Sequence, residues 1–524
     1  MFKINRFLLH IATIFETQIV DSFKKLLIEK FVIATMKKII VIGSGFSSLS
    51  AACFLAKYGY DVTVLEKNDT LGGRARKFEV DGFMFDMGPS WYWMPDVFEK
   101  FFAAFGKKVS DYYELKRLEP SYNVVFSEDE HVHIPSNLNQ LKQLFESYEK
   151  GAGQQLQAFL DDAAYKYKVG ITDLVYKPSL SITEFMSPKL LLDIMRLNTF
   201  KSFAEHAREY IKNPKLLQLL EFPVLFLGAT PQNTPALYSL MNYADMQLGT
   251  WYPLGGMHKI VEGMVNLAKT LGVKFETNAA VFGVIKDGNK VTGVKANDKI
   301  YECDAVVAGA DYHHIDKQVL SKNHSNYSDK YWDKRVMAPS SVLYYLGVNK
   351  KIKKLTHHTL FFDTDFKQHA KEIYDTKEWP SNPLFYVCTP SVTDVSVAPQ
   401  NNENIFLLMP VATGLTDDTE ATREKYFDMM MTRLEKYCGE KIREHIIVKK
   451  SYAQSNFIND YNSFKGNAYG LANTLMQTAI LKPSLKNKHL NNFYYTGQLT
   501  SPGPGVPPAI ISGEVVSNLI LAEI

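Results

Sequence analysis

The period of hydrophobic and polar positions changes several times along the chain, and the first change is the sharpest. Ile39-Ile40-Val41-Ile42 is an unbroken apolar run of strand length, the pattern of a strand covered on both faces. Gly43-Ser44-Gly45-Phe46-Ser47-Ser48 follows, and then Leu49, Ala52, Cys53 and Leu55 recur at helical spacing. Val62-Thr63-Val64-Leu65 reads as a second strand, delivering Glu66 at its tip. Strand, glycine turn, helix and strand in this order predict a βαβ unit with a parallel sheet.

Beyond it the pattern predicts helices over residues 98–105, 137–159, 189–196, 202–211, 234–246, 258–271 and 422–437. Residues 124–126 and 131–134 read as one hairpin. Residues 281–286 and 291–295 read as another, around Asp287-Gly288-Asn289. Further strands are expected at 273–278, 304–310, near 341–348, 384–388, 405–410 and at 493–498. The dense apolar run 221–228 fits either a tunnel wall or a core strand or helix end. Residues 501–508 predict a rigid loop and 509–520 a closing helix.

The chemistry of the first unit is specific. Gly43 permits the tight strand-to-helix turn, and Gly45 lets a pyrophosphate approach the free N–H groups of the new helix. Glu66 lies 21 residues beyond Gly45, where a carboxylate accepts the ribose hydroxyls of an adenosine and repels a 2′-phosphate. The third glycine of the pattern is Ser48, still small enough for close helix–strand packing. The closing helix would aim its positive end at an electron-rich group of a bound cofactor.

Composition adds limits. A chain of 524 residues predicts more than one domain, and a formal net charge of +3 offers no footing for nucleic acid. Four scattered cysteines, Cys53, Cys303, Cys388 and Cys438, form no CxxC pair and suit a reducing cytoplasm. The 33 Phe and 29 Tyr suit a large apolar ligand or a well-packed core. No metal site is expected from His131 and His133, from His313-His314, or from His357-His358: neighbouring histidines point apart, and no cysteine or carboxylate sits at ligand spacing. No Ser-His-Asp or paired-carboxylate pattern occurs, so no catalytic side chain is assigned. Residues 1–35 carry a short apolar patch broken by Glu16 and no cleavage site. They read as an upstream extension before Met36, or as a basic amphipathic surface anchor.

Leu71-Gly72-Gly73-Arg74, followed by the Gly-x-x-x-Asp-x-Gly of Gly82 to Gly88, resembles the extended signature of the amine-oxidase and carotenoid-desaturase flavoproteins. Gly88-Pro89 and the terminal Pro502-Gly503-Pro504-Gly505-Val506-Pro507 make the chain, from Met36 onward, similar to the bacterial phytoene (carotenoid) desaturase family. The resemblance implies an α/β fold: a Rossmann-like FAD-binding domain with a discontinuous α+β substrate domain. The FAD-binding parts would be 36–110, 246–311 and 484–524, and the substrate parts 111–245 and 312–483. FAD would be held by Gly43, Ser44, Gly45, Phe46, Ser47, Ser48, Glu66 and Lys67. Gly72, Gly73, Arg74, Gly88, Pro89 and Ser90 would continue the site, with Val281 at the adenine and Ala308, Gly497, Gly505, Val506 and Pro507 completing it.

The family implies dehydrogenation of a long apolar polyene, phytoene, towards lycopene, with hydride passing to the flavin and oxygen or a quinone as electron acceptor. Residues around 91–94 and Tyr469 are expected on the substrate side, and the loop 465–470 fits either the flavin face or a surface turn. A cytoplasmic protein resting on the inner face of the cell membrane is expected, docking through 222–227 or 190–197. The alternatives are a carotenoid isomerase or saturase, a hydroxycarotenoid 3,4-desaturase, an amine-oxidase-like enzyme, and a non-catalytic lipid escort.

Overall fold

The structure, a computed structural model, describes residues 36–186, 197, 201–225 and 228–524. The extension 1–35, the helix expected at 189–196 and residues 226–227 of the apolar run lie outside the described residues.

The first apolar run forms the strand Lys38–Ile42 at the centre of a five-stranded parallel sheet. Ala305–Ala308 and then Phe493–Tyr495 flank it on one side, Asp61–Leu65 and then Lys274–Glu276 on the other. Ile39 and Val41 pack into an apolar cluster with helix Phe46–Lys57, while Ile40 and Ile42 point into the opposite cluster, beneath the antiparallel strands Val281–Asp287, Lys290–Ala296 and Lys299–Glu302. Burial on both faces explains why this strand is apolar throughout.

Helix Phe46–Lys57 packs on the final helix, Val506–Glu523, at backbone distance. A Cβ on Gly513 would stand 2.3 Å from the Ser47 carbonyl oxygen, and Ser50 Oγ donates to the Ile510 carbonyl at 2.7 Å. The final helix has the length and hydropathy of a membrane span, yet Ile510, Ile511, Val515, Val516 and Ile520 are buried in the protein. It begins at Val506, three residues before the expected start. Pro507 and Pro508 occupy its first turn, where a missing N–H leaves no hydrogen bond unmade.

A seven-stranded mixed sheet forms the second layer, in the order Ile446–Tyr452, Ser340–Val348, Glu403–Val411, Phe385–Cys388, His358–Phe361, Tyr122–Val125, His131–Ile134. Alternation divides its two faces. Val342, Tyr344 and Leu346 join the cluster under helix Glu420–Cys438, and Leu343 and Tyr345 join the one that holds the helices between 138 and 225.

The helix expected over 137–159 is two helices, Leu138–Tyr148 and Ala152–Val169, because Gly151 turns left-handed at φ +86°. The stretch 234–246 divides likewise, into a 3-10 turn Ala236–Ser239 and helix Leu240–Met246. Of the two readings of 221–228, the described part is a helix end, Pro214–Leu225. Phe222 and Val224 are buried in the protein.

Candidate flavin and substrate site

The turn after the central strand is built as its glycines require. Gly43 adopts φ +89° and donates its N–H to the Leu65 carbonyl at 2.8 Å. A Cβ on Gly45 would meet nothing within 4 Å, so the space beside the helix start is open. Glu66 binds the turn from the neighbouring strand: one carboxylate oxygen accepts the Ser44 N–H at 2.9 Å and the Ser44 hydroxyl at 2.6 Å. The other accepts the Asn68 main-chain and side-chain N–H groups, each at 2.9 Å. Ser44 Oγ in turn accepts the Gly72 N–H at 3.0 Å. Glu66 thereby ties strand tip, glycine turn and Gly72-Gly73-Arg74 together.

The Gly-Gly-Arg segment passes so close that a Cβ on Gly73 would lie 3.2 Å from the Gly45 Cα. A Cβ on Gly88 would fall 2.3 Å from the Arg74 carbonyl oxygen, which no side chain tolerates. Arg74 Nη2 donates to Ser463 Oγ at 2.9 Å and lies 3.4 Å from the Asn467 carbonyl, while its buried Nε has no protein partner. Beside it, burial raises the carboxyl pKa of Asp311 and the Arg74 charge opposes that rise.

A cavity of about 690 Å³ begins at this cradle and runs between the two layers. Its wall includes Gly43, Ser44, Gly45, Phe46, Ser47, Glu66, Lys67, Gly72, Gly73, Arg74, Gly88, Pro89 and Ser90, joined from distant sequence by Val281, Gly497, Gly505, Val506 and Pro507. Two of the expected residues stand behind the wall. Ser48 packs its Oγ where a Cβ on Gly309 would sit, only 2.0 Å away, which is the helix–strand contact its small size permits. Ala308 is buried inside its strand, and the next residues, Gly309 and Ala310, reach the cavity. Lys67 bridges to the end of helix Gln454–Tyr461, donating to Asn462 Oδ1 at 3.1 Å and to the Asn459 carbonyl.

Away from the cradle the cavity becomes an apolar chamber walled by Trp91, Phe222, Met241, Leu343, Leu360, Phe362, Leu384 and Leu408. Ser341, His369 and Tyr469 are polar members of its lining, and Ala468 brings the 465–470 loop to it. Burial lowers the His369 pKa to about 4 and so keeps the ring neutral.

Several contacts and wall residues escaped the sequence reading. Asp86, inside the Gly-x-x-x-Asp-x-Gly signature, accepts the Met257 and His258 N–H groups at 2.7 and 2.9 Å and thereby fixes the start of helix His258–Thr270. Its burial pushes the carboxyl up to about 6. Phe366, His369, Ile373 and Tyr374 form another part of the wall, from a stretch with no motif. Trp91 stacks on His358 with ring centroids 4.0 Å apart. No cysteine sits at ligand spacing from the 357–358 pair in the sequence, but the sheet makes Cys388 the cross-strand partner of His358.

The cradle fits FAD. It offers open space at Gly45, a buried carboxylate at the second strand tip, an orphaned Arg74 N–H, and a continuous channel to an apolar chamber. Comparison with known proteins agrees. The profile of flavin containing amine oxidoreductases matches residues 46–521. The chain is 40% identical to the carotenoid 3,4-desaturase of Haloarcula japonica, covering 92% of this chain and 98% of that one. It is 33% identical to a 4,4'-diapophytoene desaturase (4,4'-diaponeurosporene-forming) of Staphylococcus haemolyticus, covering 93% and 99%. With the zeta-carotene-forming phytoene desaturase of Myxococcus xanthus it shares 29%, covering 93% and 94%.

Among solved structures, an oxidoreductase from Methanosarcina mazei has the same fold, with a TM-score of 0.61 at 14% identity over 92% of this chain and all of that one. A redesigned putrescine oxidase follows at 0.59 and 14%, covering 93% and 99%. The fold and cradle define a flavoprotein oxidoreductase of the flavin containing amine oxidoreductase family. Within it, the chain belongs to the carotenoid desaturases, and FAD is its cofactor.

Proposed function

We propose that this carotenoid desaturase removes hydrogen across an allylic C–C bond of a long polyene held in the apolar chamber, with phytoene the first substrate to test. The observation that carries this reading is the single cavity that joins the flavin cradle to an apolar chamber. FAD, when bound, supplies the hydride acceptor. The protein's residues would position and exclude: Glu66 and Arg74 would hold the cofactor end, and Trp91, Phe222 and Leu360 would align the chain and keep water away. With the hydride taken by the bound cofactor, the allylic cation spread over the polyene would lose a proton from the adjacent carbon to solvent and form the new double bond, a step that needs no nucleophile and suits a chamber whose wall is mostly hydrocarbon.

A second reading stays inside the same chemistry. The relative at 40% identity is named for 3,4-desaturation, which favours an already unsaturated carotenoid with its new double bond near one end. Expression in cells that accumulate phytoene, and separately in cells that accumulate lycopene or hydroxylated carotenoids, followed by pigment extraction, decides between them. New pigment from phytoene supports the first reading; new pigment only from the unsaturated precursors supports the second; none from either set rejects both.

Oxygen or a quinone is proposed to reoxidise the flavin. The inner face of the cell membrane is proposed as the working surface. Carrying a polyene through water costs about 0.8 kcal/mol per CH₂, so collection from lipid is favoured. Two apolar loops support a docking face away from 222–224: Leu180, Ile182 and Met186 on one, Met476, Ile480 and Leu481 on the other, all exposed. The two converge on the segment 501–503, since Ser179 Oγ lies 3.2 Å from Ser501 Oγ and Gly503 abuts Asn473 and Lys482.

A further inference from the structure

Behind the Trp91 ring, outside the flavin cradle, a group of buried side chains has more unmet polar atoms than an ordinary core. His357 and His358 enter the seven-stranded sheet next to Cys388, with His358 and Cys388 opposite one another in the ladder. One ligand atom from each of the three lies within 4.8 Å of the others. The adjacent rings lie close together, with centroids 4.5 Å apart, His357 standing just before the strand His358–Phe361.

Each ring has one nitrogen anchored and the other free. His358 Nδ1 lies 2.6 Å from the Tyr386 hydroxyl, which itself donates to Ser90 Oγ at 3.1 Å. The Tyr386 oxygen therefore accepts from His358 Nδ1–H, and the electron pair of His358 sits on Nε2. His357 Nδ1 lies 2.8 Å from Thr393 Oγ1. Both Nε2 atoms are buried without a protein partner, and so is the nearby Tyr252 hydroxyl, whose ring centroid is 4.5 Å from that of His357. A buried polar atom left without a partner is costly, so several together call for an occupant.

The surroundings offer room and charge. A void of about 20 Å³ adjoins Cys388 and is lined also by Asp86, Tyr252 and Asn404, enough for one water or ion. A divalent ion on the Cys388 thiolate leaves one positive charge, which a carboxylate at Asp86 offsets. A hydrogen bond fixing the second nitrogen of a ligating histidine is the usual support of such a centre.

We propose that His357, His358 and Cys388 form a buried site for a thiophilic transition-metal ion of the zinc class, with its fourth position open towards the void. Two imidazoles and a thiolate suit a soft or borderline d¹⁰ ion rather than calcium or magnesium. Binding replaces the thiol proton by a metal–sulfur bond and releases that proton to solvent; no oxidation is involved. The site lies outside the cofactor cradle, and the ion ties His358–Phe361 to Phe385–Cys388 behind the chamber wall.

The test is elemental analysis of untagged full-length flavoprotein from zinc-supplemented cells, after exhaustive dialysis. About one zinc per chain is expected, falling at least tenfold in C388S and in H357Q, while C438S, altered at a distant buried thiol, keeps it. Because C388S could misfold, the wild-type protein is also stripped with a chelator and titrated with Co²⁺. A thiolate-to-cobalt charge-transfer absorption saturating at one equivalent is expected. A wild-type protein that holds neither zinc nor cobalt overturns the proposal and assigns the void to water. Metal retained in full by C388S overturns it as well.

Discussion

Ser44 donates both its main-chain N–H and its hydroxyl to one carboxylate oxygen of Glu66, at 2.9 and 2.6 Å. The residue at the start of the glycine turn is thus held by the residue at the tip of the neighbouring strand, and Glu66 is almost wholly buried doing so. The shape of the dinucleotide cradle rests on this pair.

Glu66→Ala strands two buried donors of Ser44 and removes a buried carboxylate from the wall of the cavity. Hydrogen bonds to a charged group are worth about 1.5–3 kcal/mol, so FAD affinity should fall roughly 10- to 150-fold. Titration of FAD into the deflavinated protein measures it. Glu66→Asp, with a shorter reach, should lie between variant and wild type.

Gly88→Ala drives a Cβ to 2.3 Å from the Arg74 carbonyl oxygen. Neither atom is at the end of a flexible side chain, so the backbone must move and Arg74 with it. The purified variant should carry less than half the flavin of wild type and melt several degrees lower; absorbance ratio and thermal denaturation report the two. Gly106→Ala, where a Cβ meets nothing within 4 Å although φ is +70°, should cost only about 1 kcal/mol of local strain and leave flavin content unchanged.

Leu360→Trp adds bulk to the chamber wall without touching the cradle. The flavin-to-protein ratio should stay at the wild-type value while turnover of a forty-carbon polyene drops at least tenfold. Shorter substrates should lose less. Equal loss for all lengths would show that Leu360 is not on the path of the chain.

Asp245 supplies a pH signature. Burial pushes its carboxyl up to about 7, against the hydrogen bonds from Tyr122 at 2.8 Å and Thr250 at 3.2 Å. In the unfolded chain the group titrates near 3.8. The folded state therefore binds the proton more tightly, and the stability this lends is complete below about pH 4 and lost as pH rises through about 7. Asp245→Asn should flatten that decline in a series of melting curves between pH 4.5 and 8. A variant whose curve keeps the wild-type slope would place the titration elsewhere.

The docking face predicts that Ile182→Asp combined with Met476→Asp frees the protein from anionic liposomes in a flotation assay while flavin content is retained. Co-flotation at the wild-type level would remove these loops from the membrane account.

The first βαβ unit was legible because its information is local: glycines at fixed offsets, a period change and one acid at the next strand tip. The final helix was legible in kind but began three residues early, since Pro507 and Pro508 read as breakers and yet fit a first turn. The break at Gly151 hid inside an otherwise helical pattern. Contacts made by sheet pairing had no linear signal at all: Cys388 meets His358 across 30 residues, and Phe366 to Tyr374 reach the chamber from an ordinary amphipathic stretch. The cofactor half of the site is motif-borne, whereas the substrate half is assembled by tertiary packing from side chains whose types are those of any core.

The central claim is that one cavity brings a polyene to FAD. It is tested most directly by mixing the FAD-loaded protein, without oxygen, with liposomes containing phytoene or a more unsaturated carotenoid, and following flavin and carotenoid absorbance together. Loss of oxidised-flavin absorbance matched by one new conjugated double bond per flavin is the predicted result. A fully loaded flavoprotein that stays oxidised and leaves every carotenoid unchanged would contradict it.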